Sequence, residues 1–226
     1  MQYLSQRLAV EPARTREDQR SRGVLAGAQH ERILNAAEQL IAEKGCSKAT
    51  IEAIVKLAGV SSVTFYEHFE DKEACFVAAF DRAVEETRAT LREVIADELP
   101  WPDRVRAGLG GLLEAIAADP ARARMCLVEA QRGGVDLRAR YEAALDSAAT
   151  ELRQGRTLDS APAGLSEAVE EATAGGLAWL LREHLELSGG GSLEELLPRM
   201  IEIALSPYLG DGGAQPAAAE LASGNG

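Results

Sequence analysis

The sequence predicts an all-α protein, on three observations. Apolar residues recur at the three-and-four spacing of a buried helical face from Ala28 onward, nothing between Asp71 and the C-terminus alternates as a strand would, and aromatics are 4% of the chain against 46% apolar. Ala, Leu, Val and Ile must therefore fill the core, which suits close helix packing. With 226 residues the chain is long enough for one large domain, or for a small module fused to a larger one.

Residues 1–27 carry Arg7, Arg14, Arg16, Arg20 and Arg22 among Gln, Ser, Glu and Gly with little periodicity, and read as a flexible N-terminal arm. The first helix is expected from Ala28 to Lys44, with Ile33, Ala36, Ala37, Leu40 and Ile41 on its buried face. Gly45 supplies the left-handed residue that stops it, and Lys44 complements the helix dipole. After a loop of residues 46–49, two short helices flank the Gly59-Val60-Ser61 turn. Thr50 caps the first, which turns Ile51, Ile54 and Val55 inward; Ser61 caps the second, which turns Phe65 and Phe69 inward.

Asp71 then opens a long helix expected to reach Leu99, its inward stripe being Phe76, Phe80, Val84, Thr87, Leu91 and Val94 or Ile95, with Pro100 and Pro102 ending it. Further helices are expected at about 103–118, 121–131, 136–153, 166–187 and 193–205. Ser192 and Glu195 form a capping box before the last of these, which Pro198 is expected to kink. The tail, 211–226, is rich in Gly and Ala and reads as disordered.

The net charge of −12 argues against a nucleic-acid partner only if it is uniform, since phosphate contacts supply most non-specific affinity for DNA. It is not uniform. Residues 1–27 hold five Arg against three acids, 28–80 hold five basic residues against eight acids, and 81–226 hold 14 against 25. Most of the acidity therefore lies outside the two short helices and their flanks. Cys46, Cys75 and Cys126 are too few and too widely spaced for a disulfide framework or a CxxC metal site, so reduced, buried thiols are expected. The first 28 residues contain no apolar targeting core, and no apolar run approaches the roughly 18 residues of a membrane span. A cytoplasmic protein without a membrane partner is the expectation.

The segment 50–69 has the requirements of a helix-turn-helix: a glycine at a tight turn, Val60 to plug the crossing, and Ile54, Ala58, Phe65 and Phe69 to close a small core against the preceding helix. The second short helix then keeps one wet face, made of Ser62, Val63, Thr64, Tyr66, Glu67 and His68. A helix of that size fits the DNA major groove.

The run Glu31-Arg-Ile-Leu-Asn-Ala-Ala, followed by Thr50-Ile-Glu-Ala-Ile and by Ala58-Gly-Val-Ser-Ser-Val-Thr-Phe-Tyr-Glu-His-Phe-Glu-Asp-Lys-Glu, resembles the DNA-binding domain of the tetracycline-repressor (TetR) family over residues 28–80. The resemblance implies an N-terminal three-helix DNA-binding domain at 28–80 and a larger helical ligand-binding and dimerisation domain at 81–210. It implies that Thr50, Ser61, Tyr66, His68 and Lys72 touch DNA phosphates, with Ser62, Val63 and Thr64 nearest the base edges. Free backbone N–H groups at the helix starts after Thr50, Ser61 and Asp71 make phosphate contacts physically reasonable. For Tyr66 and His68 a packing role is the equal alternative, and for Lys72 a solvated surface position. The N-terminal arginines are open to two readings as well, a solubilising tail or an arm that tracks DNA beside the site.

Two residues depart from the family pattern. Ser62 stands where Lys is frequent, which lowers electrostatic affinity, and Val55 stands where a smaller residue is usual, which crowds the helix crossing. Glu67 on the wet face either accepts from a cytosine amino group or points to solvent.

One recognition helix reads too few base pairs for useful specificity, so a homodimer on an inverted-repeat operator in double-stranded DNA is the expected solution. Its interface is expected on the last two helices, where Leu177, Trp179, Leu180, Leu181, Leu193, Leu196, Leu197, Met200 and Ile201 gather, and where Ala172, Ala174, Gly175 and Gly176 permit close approach. The resemblance further implies a repressor released when an unidentified small-molecule effector enters the larger domain and moves the long connecting helix. Phe76, Phe80, Trp101, Met125, Tyr141 and Trp179 are candidate pocket residues, with plain core packing as the alternative for each. An activator, or a regulator that needs no ligand, would use the same DNA module. An enzyme is not expected, because the chain has no nucleophile elbow, phosphate loop or HExxH spacing. No cofactor is expected, and no metal, with His30, His68 and His184 far apart in sequence.

Overall fold

The computed structural model describes residues 16–96, 98–187 and 192–209, and every regular element among them is helical. The expected tail at 211–226 and the first half of the expected arm lie outside these residues. Helix α1 spans Arg16–Lys44, so the second half of that arm is helix, not a flexible segment. Residues 23–28 are exposed, which explains the misreading: a helix with no core to face carries no apolar periodicity to betray it. From Ile33 onward α1 buries the face that its spacing foretold, and Gly45, at φ +80, stops it.

Helices α2 (Ile51–Ala58) and α3 (Ser62–His68) follow, then α4 (Lys72–Val94). These pack on α1 through Ile33, Leu40, Ile54, Phe65, Phe76 and Phe80, all less than a twentieth exposed except Leu40, at 5%. Burying each such side chain contributes about 1.5–3 kcal/mol relative to leaving it in water. The same core takes in Met125, Ala130 and Leu137 from farther along the chain, so the N-terminal unit is joined to the rest through packed side chains rather than through α4 alone.

Helix α4 ends at Val94, short of the expected Leu99. Ile95 leaves helical backbone and its Cδ1 packs at Gly108, while Pro102 lies in the first turn of α5 (Trp101–Ala118), where its missing N–H needs no partner. Past Asp119, which caps the short α6 (Pro120–Arg124), the expected continuous helix instead widens into a π turn at Met125–Glu129 and tightens into a 3₁₀ turn at Ala130–Arg132. Helix α7 runs Val135–Arg153 and α8 Val169–Glu186. The last helix, α9 (Leu197–Leu209), follows a 3₁₀ turn at Leu193–Leu196. Pro198 sits in the first turn of α9 and so does not kink it; the proline inside the helix is Pro207. Ser192 Oγ accepts from the Glu194 N–H at 3.2 Å, a cap one residue tighter than the box expected with Glu195.

A second core, formed by Trp101, Leu113, Ile116, Leu181, Met200 and Tyr208 among others, holds α5, α8 and α9 together. Glu170 is fully buried within it. Arg156 donates to both Glu170 oxygens (Nε to Oε1 at 2.7 Å, Nη2 to Oε2 at 2.9 Å), and Tyr208 Oη donates to Oε1 at 2.9 Å. Those bonds, the arginine's first, hold the Glu170 carboxyl down at about 2 against the pull of its burial.

Candidate functional site

The first site is the outward face of α3. Thr50 Oγ1 accepts from Ala53 N–H at 3.2 Å, Ser61 Oγ from Thr64 N–H at 3.0 Å, and Asp71 Oδ1 from Ala74 N–H at 2.8 Å, so all three helix starts carry the caps read from the sequence. Gly59, at φ +64 and ψ 40, makes the turn between α2 and α3, and Val60 N–H closes it on the Val55 carbonyl at 3.1 Å. Val55 itself is buried beside Ile54, so the small core accommodates the larger side chain.

With Phe65 wholly buried behind it, α3 turns Ser62, Val63, Tyr66 and Glu67 outward, Val63 70% and Tyr66 58% exposed. An apolar side chain held this far into water contributes nothing to the core. Thr64 is different: it is half-buried, and its hydroxyl lies 2.9 Å from Ser61 Oγ, so part of its hydrogen-bonding capacity is engaged within the cap. His68 is half-buried too, its ring 5.5 Å from that of His30, which in turn stacks on Phe69 at 5.0 Å. Burial, and then the neighbouring His68, lower the His30 pKa, so this contact between α1 and the end of α3 favours the neutral ring. No periodicity or motif signals that two histidines so far apart in the chain meet. Even so, no group of three potential metal ligands occurs among the described residues. Lys72 Nζ lies 3.8 Å from Glu73 Oε1 and 5.7 Å from the centre of the Phe76 ring, at the solvent edge beside the α4 cap. Lys48, exposed two residues before the Thr50 cap, adds a positive charge near the α2 start that the sequence reading passed over.

The second site is a cavity of about 930 Å³, partly open to solvent, that lies among α4, α5, α6, α7 and α8. Of the six candidate pocket residues, Phe80, Trp101 and Tyr141 line it. Phe76 and Met125 do not; they pack in the first core, at 3% and 1% exposed. Trp179 lies on the outer surface of α8, 47% exposed. The difference has one cause: aromatic and large apolar side chains mark a core as readily as a pocket, whereas much of this wall is aliphatic, including Leu91, Leu109, Leu112 and Leu145, and it carries Arg88, Arg92, Arg104 and Arg122. A signal for it was present on α7, where Ala144, Ala148, Glu151 and Leu152 repeat at helical spacing on one face.

Between the cavity and the N-terminal unit lies a charged cluster. Glu38 of α1, 7% exposed, receives Arg82 of α4 through two donors, Nη2 and Nε, the latter at 3.1 Å, and Arg122 Nε of α6 at 3.4 Å. Arg82 also donates to Glu31 at 2.6 Å and Asn35 at 2.8 Å, and Arg122 donates to Glu86 at 2.6 Å. Arg122 thus faces both the cavity and α1. Just beyond, Cys46 Sγ donates to the Glu129 carbonyl at 3.5 Å, joining the loop after α1 to the π turn. All three thiols are free, and desolvation raises their pKa values, to about 11 for Cys46 and about 12 for Cys75 and Cys126; they behave as inert core groups. No helix among the described residues is long and apolar enough to cross a membrane.

Comparison with known proteins places this geometry. Residues 33–79 match the family model described as bacterial regulatory proteins, tetR family. Over 73 residues the chain is 42% identical to the HTH-type transcriptional regulator YvdT of Bacillus subtilis (strain 168), a match covering 32% of this chain and 38% of that one. Over 64 residues it is 41% identical to the HTH-type transcriptional regulator UidR of Escherichia coli (strain K12), covering 28% of this chain and 33% of that one. The matched part therefore amounts to less than two-fifths of those relatives' own length. Across the whole fold the chain is similar to the transcriptional regulator FadR from Bacillus subtilis in complex with stearoyl-CoA, with a TM-score of 0.69 at 20% identity over 79% of this chain and 98% of that one. It is also similar to NalD, the secondary repressor of the MexAB-OprM multidrug efflux pump in Pseudomonas aeruginosa, with a TM-score of 0.64 at 20% identity over 83% of this chain and 99% of that one.

Proposed function

Through residues 33–79 this chain belongs to the bacterial tetR family of regulatory proteins, and from that premise we propose that it is a sequence-specific DNA-binding regulator of transcription, working as a homodimeric repressor that a small molecule releases from its operator. The observation that carries the reading is the outward face of α3, a capped and rigidly backed helix whose exposed residues have no structural duty. Ser62, Val63 and Thr64 are assigned to the base edges. Thr50, Ser61, Tyr66, His68 and Lys72 are assigned to phosphates, His68 through an edge that its contact with His30 orients.

Dimerisation is supported by the outer face of α8. Gly175 and Gly176 stand mid-helix, where each costs about 1 kcal/mol relative to Ala, and a Cβ at either position would meet nothing within 4 Å. Nothing among the described residues calls for them, and they lie beside the exposed Trp179. Packing α8 against its symmetry mate gives both features a purpose. Leu177, Leu180, Leu181, Met200 and Ile201 are buried within the single chain, so the interface is assigned to Trp179, the two glycines, Ala172 and the outward side of α9 instead.

The effector is assigned to the cavity, whose volume falls in the roughly 300–1,000 Å³ range of small-molecule sites. The likeness to FadR, solved with stearoyl-CoA, favours a ligand-responsive regulator over one that needs no ligand. The test is a competition on DNA: the wild-type chain retains a subset of duplexes from a random pool in the presence of excess bulk DNA. Displacement of every duplex by an equal amount of unrelated DNA would contradict sequence-specific regulation.

A further inference from the structure

On the reading of the cavity as the effector site, we propose that the effector is an amphiphilic anion, an extended apolar body carrying a carboxylate or phosphate that Arg88 and Arg104 receive. The apolar body is accommodated by the aliphatic wall, to which Val84, Leu91, Leu109, Leu112, Leu145 and Leu177 contribute from α4, α5, α7 and α8. A wall of that composition, taken alone, would suit a neutral hydrocarbon. The arginines set in it decide otherwise.

Two of the four have carboxylate partners within the chain: Arg92 pairs with Glu85 at 2.7 Å, and Arg122 with Glu86 at 2.6 Å and Glu38 at 3.4 Å. Arg88 and Arg104 are held by neutral groups. Arg88 Nη2 donates to Ser147 Oγ at 2.9 Å and Arg104 Nη2 to Gln154 Oε1 at 2.8 Å, and neither forms an ion pair among the described residues. Arg104 Nε is buried and without a hydrogen-bond partner. Arg88 is exposed and within electrostatic reach of Glu85, whereas Arg104 sits half-buried beside the aliphatic wall, where a cation is costly unless an anion meets it. In a chain with 36 acidic against 24 basic residues, carboxylates are not scarce. Leaving the Arg104 guanidinium without one is the arrangement that a bound anion completes, with Arg88 at the solvent side of the same wall.

Their spacing limits the ligand's polar end. Ser147, Glu151 and Gln154 recur at four and three residues along α7, hence on one face, so the two anchored guanidiniums are set about 10 Å apart along that helix, two turns. Glu151 lies between them and takes Gln154 Nε2 on its Oε2 at 2.6 Å. The other carboxylate of the wall, Asp119, caps α6 and faces Arg122 at 3.6 Å. Arg88, Arg104 and Glu151 together leave one net positive charge for the ligand to neutralise. The polar end is therefore singly charged, or is a larger head whose second anionic group reaches the other arginine. A carboxylate and a phosphate-bearing thioester share the required chemistry, and the test separates them.

The experiment is calorimetric titration of the full chain with dodecanoate, dodecanoyl-coenzyme A, neutral dodecanol and coenzyme A alone. Tighter binding of either acyl anion than of dodecanol, by about tenfold or more, is the expected result, and which acyl anion binds identifies the head. Arg104→Gln and Arg88→Gln are each expected to weaken the acyl anion by about tenfold while leaving dodecanol unchanged, with Arg104→Lys intermediate because it keeps the charge without the fork. Thermal melts of each variant separate loss of binding from loss of folding, and the two positions lie on different helices, so one informative variant suffices. Equal binding of dodecanol and the acyl anions, insensitive to both substitutions, would overturn the anionic head and leave the cavity as an apolar effector site. Binding by none of the probes would overturn the amphiphile, and with unchanged DNA affinity in a cavity-filling Leu112→Trp variant would remove the effector reading as well.

Discussion

At Gly59 the backbone stands at φ +64, and the direction in which α3 leaves α2 depends on it. A side chain there costs at least about 1–2 kcal/mol, more when β-branched. Gly59→Val is expected to abolish DNA binding while leaving the dimer intact, as judged by sedimentation; binding that survived would move the turn elsewhere. Val63 is the sharper probe of sequence reading, because its exposed side chain can be cut back without disturbing the core. Val63→Ala is expected to change preference at one or two base pairs, whereas Lys72→Ala should weaken binding on all sequences alike and lower the salt slope by about one unit. Thr64→Ala has a mixed expectation, since its hydroxyl also supports the Ser61 cap. These caps were legible in the sequence because each is a local event, a hydroxyl or carboxylate reaching an N–H three residues on. The Arg82–Glu38 pair was not, its partners being separated by 44 positions that no periodicity links.

Among the elements, α6 and the π turn lie between the cavity and the N-terminal unit, the position from which the proposed effector would act on it. Arg122 lines the cavity and holds Glu38 of α1, and Cys46 rests on the Glu129 carbonyl. The resemblance implies coupling through α4 alone, and the apolar spacing predicts one straight helix where the chain widens, because a single five-residue π turn is too short for periodicity to tell it from α-helix. Glu38→Gln removes the buried carboxylate that Arg82 and Arg122 share, but leaves them Glu31 and Glu86 as partners, and is expected to destabilise the fold by on the order of 1 kcal/mol, seen as a lower midpoint in urea. Arg122→Gln should keep DNA affinity but reduce the factor by which ligand weakens it, which by linkage also reduces the effect of DNA on ligand binding. The clamp of Arg156 and Tyr208 on Glu170 has a pH signature. Its carboxyl is held at about 2, below the ordinary 4.5, so the stability it confers is present above pH 4.5 and is lost as pH falls toward 2. Glu170→Gln should flatten that acid limb in melting curves recorded across the range; an unchanged limb would assign acid unfolding to other carboxylates.

For the whole molecule, the fold class and the helix-turn-helix were legible because helical periodicity, two caps and one glycine specify them locally. The cavity and the proposed dimer face were less so. Apolar residues on α8 and α9 serve the chain's own core, and only the structure separates the inward Leu177 and Leu181 from the outward Trp179. Trp179→Glu is expected to convert the dimer to monomers in sedimentation equilibrium and to weaken operator binding sharply with the reading helix intact. The central claim, that two copies of α3 read DNA as a symmetric pair, is tested most directly by selecting bound duplexes from a random pool at near-physiological salt and sequencing them. Enrichment of an inverted repeat, lost in Gly59→Val and rearranged at one or two positions in Val63→Ala, is the predicted result. A folded, dimeric protein that enriches no sequence at this salt or at lower salt would contradict it.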